Sequence, residues 1–168
     1  MAGGTALGLR YALYYLAAYT FMNIGAFAVA ATLSDEREQG VNLASYRGLG
    51  RRHPFAAAAM TFFLLALAGL PPTAGFLGKI LILSTSANAG YAWLGGLLIV
   101  GTAISLYAYA KVIRSMYGRE HHHGNDHAVP EVKPAVPLAW ASMAICFIAV
   151  IVLTFYPYTP SNILPIVK

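Results

Sequence analysis

Hydrophobic positions gather into three long blocks, Tyr11–Leu33, Phe55–Ala110 and Leu138–Tyr156, separated by polar stretches that hold almost all the charge. A transmembrane helix needs about 20 predominantly apolar residues. The first and third blocks have that length, and each predicts one span. The middle block is too long for one. Its later part reads as a helix over 91–117, with Trp93 near one membrane interface and Lys111 and Arg114 at the other. Its earlier part, 55–88, is broken by Pro71 and Pro72. Proline lacks the amide hydrogen and clashes with the preceding turn. As helices, 55–70 and 76–88 would reach roughly 24 Å and roughly 20 Å. Each falls short of the ~30 Å hydrocarbon core.

Charge chooses between one broken span and two short ones. Eight of the eleven Lys and Arg residues lie in two loops: Arg37, Arg47, Arg51 and Arg52 in 34–54, and Lys111, Arg114, Arg119 and Lys133 in 111–137. The six acidic residues and five histidines share those loops. Basic loops favour the cytoplasmic side, so the chain between them should cross an even number of times. With 91–117 as one crossing, 55–88 supplies one more. The competing reading makes the LPPTAG connector a surface turn between two short helices, giving five crossings and basic loops on opposite faces. The expected fold is therefore an all-α integral membrane protein of four spans: about 11–33, 55–88 broken near 71–75, 91–117 and 138–157. The region forms one transmembrane unit without a soluble domain, with loops 34–54 and 111–137 cytoplasmic.

Composition agrees with a bilayer setting. Of the 168 residues 58% are hydrophobic and 10% charged, against roughly 25% charged in soluble domains. The net charge of +5 is dispersed over loops beside spans, where it sets topology rather than binding nucleic acid. The first block is too long for the apolar region of a signal peptide and lacks a convincing cleavage site. Cys146, the single cysteine, reads as a buried inert thiol.

The one charged residue between Phe55 and Ala110 is Lys79, just past the prolines. A helix interrupted inside a membrane frees backbone polar groups, tolerated only where protein or a wet cavity satisfies them. Pro71, Pro72, Gly75 and Gly78 are the residues assigned to the break. In apolar surroundings an ammonium group yields its proton more readily, and intramembrane ionisable residues commonly serve as proton relays. Lys79 is the candidate relay; snorkelling to the headgroups is the alternative. Tyr19 and Asn23 share one helix face, as do Thr102, Ser105 and Tyr109, and these five form a candidate polar path. Hydrogen bonding between packed spans is their other use. The tract His121–His127 offers imidazoles and Asp126 for a metal. It lies in a loop with no second cluster, so no metal site is expected.

The stretches YYLAAYTFMNIGAFAV (14–29), YRGLGRRHPFAAAAMTFFLLALAGLPPTAGFLGK (46–79) and ISLYAYAKVIRSMY (104–117) resemble the C-terminal portion of subunit N of proton-translocating NADH-quinone oxidoreductase, respiratory complex I. The GLPPTAGFLGK pattern is shared across antiporter-like subunits, including those of cation/proton antiporters and membrane-bound hydrogenases. YTFMNIGAF and the YRGLGRR leader point more narrowly to subunit N. The resemblance implies helices 11 to 14 of a fourteen-helix antiporter-like subunit, with Lys79 at the lysine of a discontinuous helix in the proton pathway. It implies proton translocation coupled to electron transfer from NADH to quinone. It also implies a multi-pass location in the inner (plasma) membrane, beside adjacent antiporter-like subunits and other membrane-arm subunits. NADH, FMN, iron–sulfur clusters and quinone would belong to other subunits, with no cofactor in this chain.

The resemblance is incomplete. Family members are several hundred residues long, and their N-terminal half carries a second lysine paired with a glutamate. The spans here contain no acid. The chain therefore reads as a C-terminal fragment or one piece of a split subunit, unable to pump alone. Two other readings stand beside the first: a subunit of a multi-subunit cation/proton antiporter, and a packing fragment without transport of its own.

Overall fold

A computed structural model describes residues 2–33, 46–118 and 137–155. Six helices follow in order: α1 (Ala2–Leu33), α2 (Leu49–Arg52), α3 (Pro54–Ala68), α4 (Ala74–Asn88), α5 (Ala92–Tyr117) and α6 (Pro137–Phe155). No strand occurs among the described residues. Gly8–Thr32 and Ala92–Tyr117 are long and apolar enough to cross a membrane, while Pro54–Ala68 and Ala139–Phe155 are shorter apolar helices.

Two features of these elements differ from the sequence reading, the start of α1 and the presence of α2. Helix α1 begins at Ala2 rather than near Tyr11. Arg10 marks the end of the apolar stretch, but arginine is a good helix former and does not stop the helix. Helix α5 runs through Lys111 and Arg114 to Tyr117 and ends where Gly118 turns extended, close to the helix expected over 91–117. The single turn α2 was not expected. It follows Gly48, whose φ of 70° reverses the chain, and it packs on α3 and α5. The His121–His127 tract and residues 156–157 lie outside the described residues.

Helix α1 is the spine. It packs most extensively on α6, and also along α4 and α3. Ala18, Met22 and Val29 of α1 meet Ala57, Phe63 and Ala66 of α3 and Cys146 and Val150 of α6 in one buried cluster. Phe147 of α6 closes it against Phe62 and Phe63, with ring centroids 4.5 Å and 6.5 Å apart.

The contacts along α1 fall in a sequence that decides how α3 and α4 lie. A β-carbon at Gly25 would strike the Phe63 ring, one at Gly75 would touch the Met22 methyl, one at Gly78 would strike Tyr15, and one at Gly8 would touch Thr85. Moving back along α1 from 25 to 22, 15 and 8, the partners advance from 63 to 75, 78 and 85. Helices α3 and α4 share fewer contacts with each other than either has with α1. They are therefore laid end to end, antiparallel to α1, as one rod broken at 69–73. A side-by-side hairpin would pair α3 with α4 along their length instead.

Candidate functional site at the interrupted helix

The last carbonyls of a helix have no intrahelical partner. At the end of α3, Gly69 adopts φ 80°, ψ 46°, a left-handed conformation that glycine enters without penalty. The amide of Leu70 donates to the Leu65 carbonyl at 3.1 Å, and that of Gly69 to the Ala66 carbonyl at 3.1 Å. This is a Schellman cap. It leaves the carbonyls of Leu67 and Ala68 over. Lys79 Nζ donates to both, at 3.3 Å and 2.9 Å.

The lysine thus sits at the negative end of the α3 dipole, where a cation is favoured. It reaches there from the second turn of α4, half-buried, with its chain against Gly69. A β-carbon at Gly69 would lie 3.0 Å from Nζ. No carboxylate occurs among the described residues, and the groups that hold the ammonium are uncharged carbonyls.

The interruption spans Gly69–Thr73, earlier than the expected 71–75. Pro71 and Pro72 lie within it, joined by a cis peptide bond. Gly75 and Gly78 do not: both are in α4. Their lack of a side chain serves close approach instead. Gly75 faces the Ala66 carbonyl oxygen and Gly78 faces the Tyr15 ring. Past the break, Thr73 makes no side-chain cap on α4, and its hydroxyl donates back to the Leu70 carbonyl at 2.8 Å. The first α4 amide, that of Ala74, donates to Thr154 Oγ1 of α6 at 3.0 Å.

The expected polar residues fare unequally. Tyr19 and Tyr109, on α1 and α5, lie within electrostatic reach of each other, and Tyr15 lies within reach of both. The Tyr15 and Tyr19 rings are 5.9 Å apart. Asn23 Nδ2 instead donates to the Tyr19 carbonyl at 2.8 Å, and Ser105 Oγ to the Gly101 carbonyl at 2.9 Å. Both are tied to their own helices. Thr102 is half-buried on α5. Tyr15 escaped the sequence reading although its place four residues before Tyr19 puts it on the same face. Thr154 had no such signal, since nothing local links it to Ala74. Among the described residues no group of three or more His, Cys, Asp or Glu is placed to hold a metal.

A family model described as "NADH:quinone oxidoreductase/Mrp antiporter, TM" matches residues 1–105. NADH-quinone oxidoreductase subunit N of Trichlorobacter lovleyi is 47% identical over 116 residues, covering 69% of this chain and 24% of that protein. F(420)H(2) dehydrogenase subunit N of Methanosarcina mazei is 40% identical over 121 residues, covering 67% and 24%. A chain of respiratory complex I from Thermus thermophilus superposes with a TM-score of 0.70 at 31% identity, covering 98% of this chain and 36% of that one. The chain spans about a quarter of the length of these curated relatives. The GLPPTAGFLGK break, the helical rod it divides and the matched sequence agree: the chain belongs to the NADH:quinone oxidoreductase/Mrp antiporter transmembrane family.

Proposed function

We propose that this chain forms the C-terminal part of a proton-translocating subunit of an NADH:quinone oxidoreductase, with Lys79 as a proton relay. The observation that carries the reading is the seat of Lys79: an ionisable group at a helix interruption, held by the two carbonyls of Leu67 and Ala68 that the cap of α3 leaves over. Protonated, the ammonium satisfies both carbonyls. Deprotonated, the amine has a free lone pair and can accept a proton again. The hydroxyl groups of Tyr15, Tyr19 and Tyr109 are the proposed continuation of the path, since a hydroxyl can orient water without adding charge.

The end-to-end placement of α3 and α4 and the positive-inside rule support a reading of four crossings, with the basic loops on the cytoplasmic side of the plasma membrane. Electron transfer belongs to partner subunits, and adjacent antiporter-like subunits flank this one. Subunit N relatives support the assignment. Lys79→Ala in the assembled complex is expected to lower proton translocation severalfold. Unchanged stoichiometry of protons per NADH would overturn the relay. The family description also names Mrp antiporters, which keeps cation/proton exchange as the second reading. Restored growth of an antiporter-deficient strain at high sodium and alkaline pH would favour it.

A further inference from the structure

We infer that Thr154 of α6 is a positioning residue for Lys79, supplying from a distant helix the side-chain cap that α4 lacks from its own segment. The inference rests on the relay reading above. Residue 73 is a threonine in extended conformation, the residue type and backbone of an N-cap. Its hydroxyl donates backwards to Leu70 and makes no cap bond to α4. The amides of Phe76 and Leu77 find the Thr73 carbonyl at 3.1 Å and 3.2 Å. That of Ala74 finds no acceptor on its own segment and takes the Thr154 hydroxyl at 3.0 Å.

The Thr154 hydroxyl is set for this. Its own hydrogen goes to the Val150 carbonyl at 2.8 Å, which leaves its lone pairs as acceptors facing Ala74. The end of α6 is fixed in turn by Tyr14 of α1, whose hydroxyl donates to the Leu153 carbonyl at 2.7 Å. The next residue of α1, Tyr15, packs on Gly78. Helices α1, α6 and α4 therefore close a ring of contacts around the first turns of α4. Lys79 stands five residues, about one and a half turns, beyond Ala74. Fixing where α4 begins fixes how far Nζ must reach to the Leu67 and Ala68 carbonyls.

The test uses Thr154→Val, which keeps the shape and removes the acceptor, and Thr154→Ser, which keeps the acceptor. Both are made in the assembled membrane complex beside Lys79→Ala. Deuterium exchange of the amides at 74–77 should quicken about fivefold in Thr154→Val, as for loss of a cap of about 1 kcal/mol, and stay near wild type in Thr154→Ser. Proton translocation should fall severalfold in the valine variant, shift its pH profile, and recover in the serine variant. Should Thr154→Val not assemble, Thr154→Ala is read in its place. Unchanged exchange overturns the cap. Faster exchange with unaltered translocation overturns the positioning role, and a serine variant that behaves like valine overturns the part played by the hydroxyl. Normal pumping in Lys79→Ala overturns the relay reading separately, because the exchange measurement reads the cap without it.

Discussion

The two roles proposed for Lys79, helix cap and proton relay, can be separated by substitution. As a cap it needs donors; as a relay it needs a proton it can release. Arginine supplies donors but stays charged. Lys79→Arg is therefore expected to leave complex assembly near normal while abolishing most proton translocation, measured by dye quenching in inverted vesicles. Equal pumping would show that the charge alone suffices. The neighbouring glycines are stringent for different reasons. At Gly69 the φ of 80° costs a residue with a side chain roughly 1–2 kcal/mol, and the added methyl pushes on Nζ. At Gly75 the obstacle is the Ala66 carbonyl oxygen, backbone that cannot swing aside. Gly75→Ala should destabilise by about 1–3 kcal/mol and lower the midpoint of thermal disassembly, with a smaller loss for Gly69→Ala.

At the scale of elements, the decisive feature is the order of contacts along α1. A β-carbon at Gly8 would lie 3.3 Å from Thr85 Cγ2, an atom that stands where a cysteine sulfur would, so this pair is close enough to cross-link. In a Cys146→Ala background, Gly8→Cys with Thr85→Cys should cross-link on mild oxidation, and Gly25→Cys with Thr85→Cys should not. Failure of the first pair would refute the end-to-end rod. The break itself was legible, because Pro71-Pro72 after Gly69 can end a helix by simple sterics. Its extent was not. Gly75 and Gly78 look like loop residues beside two prolines, and only the closeness of Ala66 and Tyr15 reveals them as packing residues within α4. Tyr15 was readable in principle from its spacing to Tyr19. Thr154 was not, because its partner is 80 residues away.

For the whole molecule, the described helices bury little of their apolar surface. On α5, Leu97, Ile99, Ile104 and Tyr107 are all more than half exposed, as are Leu9, Leu13, Leu16 and Phe27 of α1. Faces of that size in water would drive association; in a bilayer they meet lipid or neighbouring helices at no such penalty. The proposed four crossings would place both basic loops on one side of the membrane. Ser45→Cys and Asn125→Cys, each in the Cys146→Ala background, should react with an impermeant maleimide from the same face of the membrane. Labelling from opposite faces would restore the five-crossing reading.

The sequence by itself determined the class of environment, the helical blocks and the place of the interruption. These depend on hydropathy over about 20 residues and on proline sterics, both local properties. The tertiary structure decided what the interruption holds. Which carbonyls remain after α3 is capped, that Lys79 reaches them, and that a hydroxyl from α6 starts α4 all depend on segments distant in sequence meeting in space. Periodicity along one helix carries no information about such meetings.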